Sequence, residues 1–422
     1  MLRIYKTLTL FFYPLLIFII YLRKLFKKEN GESFRGKLFP SKFLINKDET
    51  KYLIWFHAAS IGEAQSIIPL IKKILNEEDN IEILMTTITQ SSAMLIRQNF
   101  EKYENVKHRY LPLDINFLIN KFLDGWKPEL VLFVDSEIWP NFLLEIKKRD
   151  IPLILLNGRI TKRSFLKWSK VSKLAEEIFN KFDLCLVSNF ETKKYLEVFK
   201  VKNIKFLGNL KFSNSNKSYE NQEKLPQGKK IWCAMSTHGG EDMVIIETHI
   251  KLKNNNKNLI SIIIPRHINR VKEIESLCRK KNLTFQTLSN KDKINFEKEI
   301  IIINSYGKAS NYLSLCKSVF IGKSLIKKLQ HVGGQNPIEA AKLGCKIYHG
   351  PYVYNFQEIY DLLSKYKIAE QVADSDELSK KINFDLNNLD FIKNENALKD
   401  INEFGNNVLK TTFNEVIKFK GQ

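Results

Sequence analysis

Residues 52–75 read YLIWFHAASIGEAQSIIPLIKKIL. The opening run, Tyr52–His57, is bulky and apolar over the length of a strand buried on both faces. A short turn of small and polar residues follows. From Ala64 to Leu75 apolar residues recur with helical spacing. Strand, turn and helix in this order form the first half of a βαβ unit. The unit repeats at Ile81–Thr86 (IEILMT), Leu130–Val134 (LVLFV), Pro152–Leu156 (PLILL) and Leu184–Val187 (LCLV), with amphipathic stretches such as Phe142–Arg149 between. Such alternation predicts a parallel sheet covered by helices on both faces.

Outward from that core, Asn214–Lys230 reads NSNKSYENQEKLPQGKK, polar and turn-rich, which is a linker pattern. The alternation then restarts at Lys230–Ala234 (KIWCA), Leu259–Ile264 (LISIII), Glu299–Ile303 (EIIII), Val319–Ile321 (VFI) and Cys345–Tyr348 (CKIY). Two α/β halves joined by a linker predict a cleft, with ligands outside the carboxyl ends of the strands. The tail beyond about residue 375 is helical and polar.

Composition bounds the partners. The chain has 422 residues, 44% hydrophobic and 27% charged, which suits two or three folded domains and not a disordered chain. Lys and Arg number 67 against 46 Asp and Glu, a net charge of +21. That balance favours nucleic acid, acidic headgroups or phosphorylated substrates, although Lys, Asn and Ile are abundant throughout and much of the Lys is a solvated face. The five cysteines are scattered, with no C-x-x-C pair. They suggest a reducing compartment and neither a disulfide framework nor a zinc site.

Leu8–Leu22, LTLFFYPLLIFIIYL, is uncharged; Arg3 and Lys6 precede it and Arg23, Lys24, Lys27 and Lys28 follow. The run is shorter than the roughly 20 residues of a spanning helix, though snorkelling stems extend it. Basic residues stand where a signal peptide would have its cleavage site, and they place the remainder on the cytoplasmic side. An uncleaved anchor within residues 1–30 is expected, either spanning or lying in the interface with Pro14 bending it. A buried core helix is the competing possibility.

Seven loops carry candidate chemistry. In Ala58–Glu63, Gly62 suits a sharp turn, and Glu63, held ionised by the helix N-terminus, could take a proton from a hydroxyl; Ser60-x-x-Glu63 is equally a capping box. Asp135-Ser136-Glu137-Ile138-Trp139-Pro140-Asn141 sets two carboxylates and a Trp at a strand end, or simply caps a helix. Gly208–Phe212 carries Lys211, which at a hinge between domains could meet an anion. Ser236, Thr237 and His238 open a helix with Gly239, Gly240 and Glu241, a setting that suits phosphate. Further on, Pro265-Arg266-His267, Gly322-Lys323-Ser324 and Gly333–Glu339 follow in turn. There the glycines allow close backbone approach, Pro337 suits the first helical position, and Glu339 can accept from ribose hydroxyls. Any single loop is equally a cap or a turn; four in one half describe a nucleotide site. None has the Walker A or dinucleotide pattern.

Taken in order, the apolar N-terminus, SIGEAQS, DSEIWPN, NGRIT (Asn157–Thr161), GNLKF, STHGGED, PRH, GGQNPIEAA and GPYVYNF (Gly350–Phe356) resemble the transferases that add 3-deoxy-D-manno-octulosonic acid (Kdo) in lipopolysaccharide synthesis. The resemblance runs to about residue 356 and implies two Rossmann-like domains of the glycosyltransferase B type. Residues 1–30 would be the anchor, 35–213 an acceptor-binding domain, 214–230 the linker and 231–422 a nucleotide-sugar domain whose last helices pack back on the first. It implies CMP-Kdo as donor, the lipid A precursor lipid IV(A) as acceptor, inversion, no catalytic metal or other cofactor, and a place on the cytoplasmic face of a bacterial inner membrane. Nucleic acid is not an expected partner. Residue by residue, Glu63 matches the catalytic base. Asp135 and Lys211 match groups that stabilise the transition state. Pro265 and Arg266, the loop Tyr306-Gly307-Lys308, and Asn336, Pro337, Ile338 and Glu339 match the CMP contacts. Asp135 stands where many relatives have Glu, Lys308 where an acidic residue is common, and Lys323 where Gly is common. Another membrane-associated glycosyltransferase using a UDP-sugar is the alternative within the fold. A basic nonenzymatic protein binding anionic ligands is the alternative outside it.

Overall fold

The computed structural model describes residues 2–43, 48–213, 225–289, 292–305, 309–330, 333–388 and 395–420. The chain divides into two compact units, Met1–Ser215 with Asn402–Gln422, and Asn216–Ile401. Each is built on a seven-stranded parallel sheet.

In the first unit the strands are β1 (Tyr52–His57), β2 (Ile81–Thr87), β3 (Val106–Tyr110), β4 (Leu130–Val134), β5 (Leu153–Gly158), β6 (Leu184–Val187) and β7 (Ile204–Phe206). Their order is β3-β2-β1-β4-β5-β6-β7. Side chains of β1 alternate between faces: Leu53 and Trp55 enter a core with Phe122, Phe133 and Phe142, whereas Ile54 and Phe56 enter another with Ile67, Ile71 and Ile83. Burial on both faces is why these strands are continuous apolar runs. The second unit has β8 (Lys230–Thr237), β9 (Leu259–Pro265), β10 (Phe285–Leu288), β11 (Ile300–Ile303), β12 (Ser318–Ile321), β13 (Lys346–His349) and β14 (Ala369–Gln371), ordered β10-β11-β9-β8-β12-β13-β14.

Both sheets reverse their winding beside their first strand, between β1 and β4 and between β8 and β12. Helices leave toward opposite faces there, which opens a crevice at the carboxyl ends. The final helix, Glu395–Ile417, ends in the first unit. Val408, Phe413 and Val416 join the core around Leu210, and the helix lies so close to Phe212 that a Cβ on Gly405 would meet its carbonyl oxygen at 2.5 Å.

The N-terminal segment, expected as an anchor that either spans or lies bent in the interface, is not one continuous helix. It forms two helices, Leu2–Phe11 and Tyr13–Leu25, bent by 54° about Phe12. Pro14 lies in the first turn of the second helix, where its missing N–H costs nothing. No single helix among the described residues is long and apolar enough to cross a membrane; the bent pair passes that test only together. The first helix is docked on the first unit. Leu2 is buried among its aromatics, Tyr5 donates to Asp114 at 2.9 Å, and the Asn141 amide donates to Thr9 at 3.0 Å. Burial pushes the Asp114 carboxyl up to about 6. The second helix instead exposes Leu15, Phe18 and Ile19. Most of the expected linker, residues 214–224, lies outside the described residues.

Candidate active site

In the first unit the winding reverses where β1 and β4 run side by side, with His57 in register with Phe133. The chain leaves β1 through Ala58–Ser60 into the helix Ile61–Glu77. Ser60 caps that helix, and Glu63 returns the cap: its Oε2 accepts from the Ala59 amide at 2.8 Å and the Ser60 amide at 3.3 Å, and its Oε1 from the Ser60 hydroxyl at 2.8 Å. Both halves of the capping box are formed. The carboxyl is nonetheless not held in an ordinary acid state. Burial, chiefly, and the nearby Asp135 and Glu137 carboxylates raise its pKa, against the Ser60 hydrogen bond. The sequence suggested a carboxylate kept ionised by the helix N-terminus; desolvation and like charge outweigh that field here. Gly62 also differs from expectation. It has ordinary helical backbone, and a Cβ there would meet nothing within 4 Å, so the turn does not need it. Its effect is an open surface beside Glu63.

The chain leaves β4 through Asp135, whose φ is +65°. Left-handed backbone is uncommon outside glycine and marks a functional or strained position. Lys211 Nζ lies 3.9 Å from Asp135 Oδ2, with both side chains largely buried. Burial raises the Asp135 carboxyl, while Lys211 and then Arg159 pull it down. Lys211 was expected to act at a hinge; its carboxylate partner lies within the first unit. Asn157, with φ +54°, fixes the lysine loop by accepting the Leu210 amide at 3.0 Å. The NGRIT segment thus supports GNLKF.

Two residues without an assigned role belong to this site. His57, the one polar residue of its strand, is wholly buried, and its Nε2 lies 3.3 Å from Glu137 Oε2. The Trp139 indole donates to the same oxygen at 2.8 Å. A histidine closing an apolar strand was the available signal.

In the second unit the crevice lies between the ends of β8 and β12. Ser236 (φ +60°) and Lys323 (φ +59°) again carry left-handed backbone at strand ends. For Lys323 that conformation accounts for the glycine the resemblance expects there. Glu241 is fully buried and accepts from the amides of His238, Lys323, Ser324 and Leu325 at 2.9, 2.7, 2.8 and 3.0 Å. An internal carboxylate therefore fills the amide cradle that the sequence suggested for phosphate. Ser324, expected among the nucleotide contacts, belongs to the same arrangement. Its amide serves Glu241, and its hydroxyl donates to Ile321 at 2.6 Å and accepts from Gly350 at 2.9 Å. It ties loops together. The glycines Gly333 and Gly334 likewise admit neighbouring backbone: a Cβ on Gly333 would lie 2.1 Å from the Tyr352 carbonyl, and one on Gly334 2.9 Å from that of Val353.

Thr237 and Pro265 are buried, His238 is half-buried and Arg266 is exposed. The Thr237 hydroxyl is buried with no partner among the described residues. The Arg266 amide donates to the Thr237 carbonyl at 3.1 Å, which holds the ends of β8 and β9 together. Burial lowers the His238 pKa. Asn336 accepts the Ile338 amide at 3.1 Å, and Glu339 accepts from Ser310. Pro337 precedes the helix Ile338–Lys342 as its cap, one position before the expected first turn. Tyr306, Gly307 and Lys308 lie outside the described residues. Among those described, no group of three or more His, Cys, Asp or Glu could hold a metal ion.

Residues 34–214 match the family described as 3-deoxy-D-manno-octulosonic-acid transferase (kdotransferase). The chain is 29% identical over 416 residues to the 3-deoxy-D-manno-octulosonic acid transferase of Rickettsia bellii, covering 97% of this chain and 95% of that one. It is 31% identical over 389 residues to the enzyme of the same name from Rickettsia felis, covering 90% and 82%. A solved glycosyltransferase from Rickettsia africae is similar in fold, with a TM-score of 0.59, 13% identity and coverage of 88% of this chain and 100% of that one.

Proposed function

The chain belongs to the 3-deoxy-D-manno-octulosonic acid transferase family, and we propose that this glycosyltransferase moves Kdo from CMP-Kdo to the lipid A precursor lipid IV(A). The observation that carries the proposal is the basic Glu63 carboxyl beside the Asp135–Lys211 pair where the first sheet reverses its winding. A carboxylate of raised pKa is a stronger base at neutral pH. Glu63 takes the proton of the acceptor hydroxyl as its oxygen attacks the anomeric carbon of Kdo. CMP departs from the opposite face, so configuration inverts. Positive charge grows on the ring, and Asp135, held by Lys211, stabilises it. In the second unit Arg266, exposed at the end of β9, is a cation suited to the CMP phosphate. These side chains supply base and charge, and the proposed reaction calls for no catalytic metal ion.

The acceptor is a lipid, and the N-terminal helices support a place at an anionic bilayer on its cytoplasmic side. Leu15, Phe18 and Ile19 are exposed on the second helix, followed by Arg23, Lys24, Lys27 and Lys28. The first helix is docked on the protein, so the pair sits at the membrane surface as an in-plane elbow with basic residues at the headgroups.

A donor screen on the purified chain tests the reaction. Labelled CMP-Kdo and a panel of UDP-sugars are offered with lipid IV(A), and the anomeric configuration of the product is read by NMR. Transfer from CMP-Kdo with inversion is expected. Transfer from a UDP-sugar alone replaces the donor, retention replaces the mechanism, and binding without transfer from any donor removes the proposal.

A further inference from the structure

We propose that His57 is a positioning residue: through Glu137 it fixes the Asp135–Asn141 loop against which Glu63 and the Asp135–Lys211 pair work. It rests on the Kdo-transfer reading above for its effect on turnover, though not for its geometry.

The hydrogen bonds of His57 join the interior of the sheet to the loop after β4. The Trp55 indole donates to Thr86 Oγ1 at 2.8 Å. Thr86 Oγ1 and His57 Nδ1 are 3.0 Å apart, and His57 Nε2 and Glu137 Oε2 are 3.3 Å apart. An indole nitrogen only donates and an ionised carboxylate only accepts. Facing an acceptor, Nε2 carries a proton and donates it to Glu137, while Nδ1 is held inside the sheet by Thr86, 3.0 Å from its Oγ1 and 3.2 Å from its carbonyl oxygen. The Trp139 indole completes the carboxylate at 2.8 Å.

His57, Trp55 and Thr86 are fully buried in the sheet, so the donor side of this chain cannot move. Glu137 sits in the loop between β4 and the helix Pro140–Lys147, two residues from Asp135 and two from Trp139. A carboxylate held by one donor inside the sheet and one from its own loop anchors the middle of that loop. It also places a second negative charge beside Glu63, next to that of Asp135. A displacement of about 1 Å at such a site costs up to about 10²-fold in rate.

Five tryptophans in the chain make the indole N–H signals a direct readout. In ¹⁵N-indole-labelled protein, with Trp139→Phe to assign its resonance, His57→Phe is expected to move the Trp139 indole signal. It should lower kcat by about 10–100-fold while KM for the donor stays unchanged. His57→Gln keeps an N–H donor and should recover part of both. Thr86→Val, nearly isosteric, serves if His57→Phe fails to fold; it removes the Oγ1 partner of Nδ1 and should shift the same signal. A Trp139 resonance in its wild-type place in each folded variant overturns the positioning role. So does a shifted resonance with unchanged kcat. If wild-type protein transfers no Kdo from CMP-Kdo while the Trp139 signal moves as expected, the assigned reaction falls and the His57–Glu137 contact stands.

Discussion

Lys211 Nζ and Asp135 Oδ2 are 3.9 Å apart, although 76 positions separate them in sequence (211 − 135 = 76). The contact exists because β4 ends at Val134 and the Asn157 side chain ties the lysine loop to the end of β5, two neighbouring strands. Removing the cation leaves a largely buried carboxylate with Arg159 as its remaining cationic neighbour. Lys211→Met should reduce kcat by about 10²–10³-fold while the thermal midpoint stays close to that of wild type. Saturating-donor kinetics beside calorimetry checks both.

The acid limb of kcat reports Glu63. Its raised pKa means the base is still protonated at a pH where an ordinary glutamate is ionised. Activity should therefore rise with pH through a midpoint above the usual 4.5. Burial sets most of that rise, and Asp135 and Glu137 add to it. Glu137→Gln removes one like charge and should move the limb to lower pH. A pH–rate profile of both proteins tests the sign.

Two serine and arginine positions in the second unit separate ligand contact from scaffold. Arg266→Ala should weaken CMP binding by about 10–100-fold with little change in stability. Ser324→Ala should do the reverse. It leaves the Gly350 amide without its acceptor, at a cost of about 1–3 kcal/mol, with CMP affinity retained. Calorimetric titration and thermal unfolding on the two variants distinguish the roles.

The N-terminal helices have separable faces. Replacing Leu15, Phe18 and Ile19 together by Ser should abolish binding to anionic vesicles and leave the fold intact. Deleting residues 1–25 should destabilise the protein as well, because it strips Leu2 from the core and Tyr5 from Asp114. Vesicle flotation and thermal melts report the two effects. The sequence reads residues 1–30 as an anchor with a core helix as the competitor, since hydropathy does not record which apolar residues face protein.

The same physics explains which strands were legible. The ten strands read from apolar runs are all present, within a few residues. The four that were not, β3, β7, β10 and β14, are the four sheet edges. Edge strands are covered on fewer sides, so sequences such as VKHRY and FQTL carry polar residues where inner strands carry Ile and Leu. Site legibility followed a similar rule. Glu63, Asp135 and Lys211 stood in recognisable loops. His57 was concealed inside an apolar run, and the carboxylate of Glu241, which fills the expected phosphate cradle, depends on a long-range fold contact. Left-handed backbone at Asp135, Asn157, Ser236 and Lys323 leaves no mark in residues other than glycine.

Mass analysis of lipid IV(A) after incubation with CMP-Kdo and either wild-type protein or Glu63→Gln tests most directly whether Glu63 is the base of a Kdo transfer. The amide can still accept the Ala59 hydrogen bond, so the variant should fold and bind CMP. Wild-type protein should convert the lipid to its Kdo adduct, and Glu63→Gln should do so about 10²–10⁴-fold more slowly. A folded Glu63→Gln protein that forms the adduct at the wild-type rate would reduce Glu63 to a helix cap and contradict the assignment.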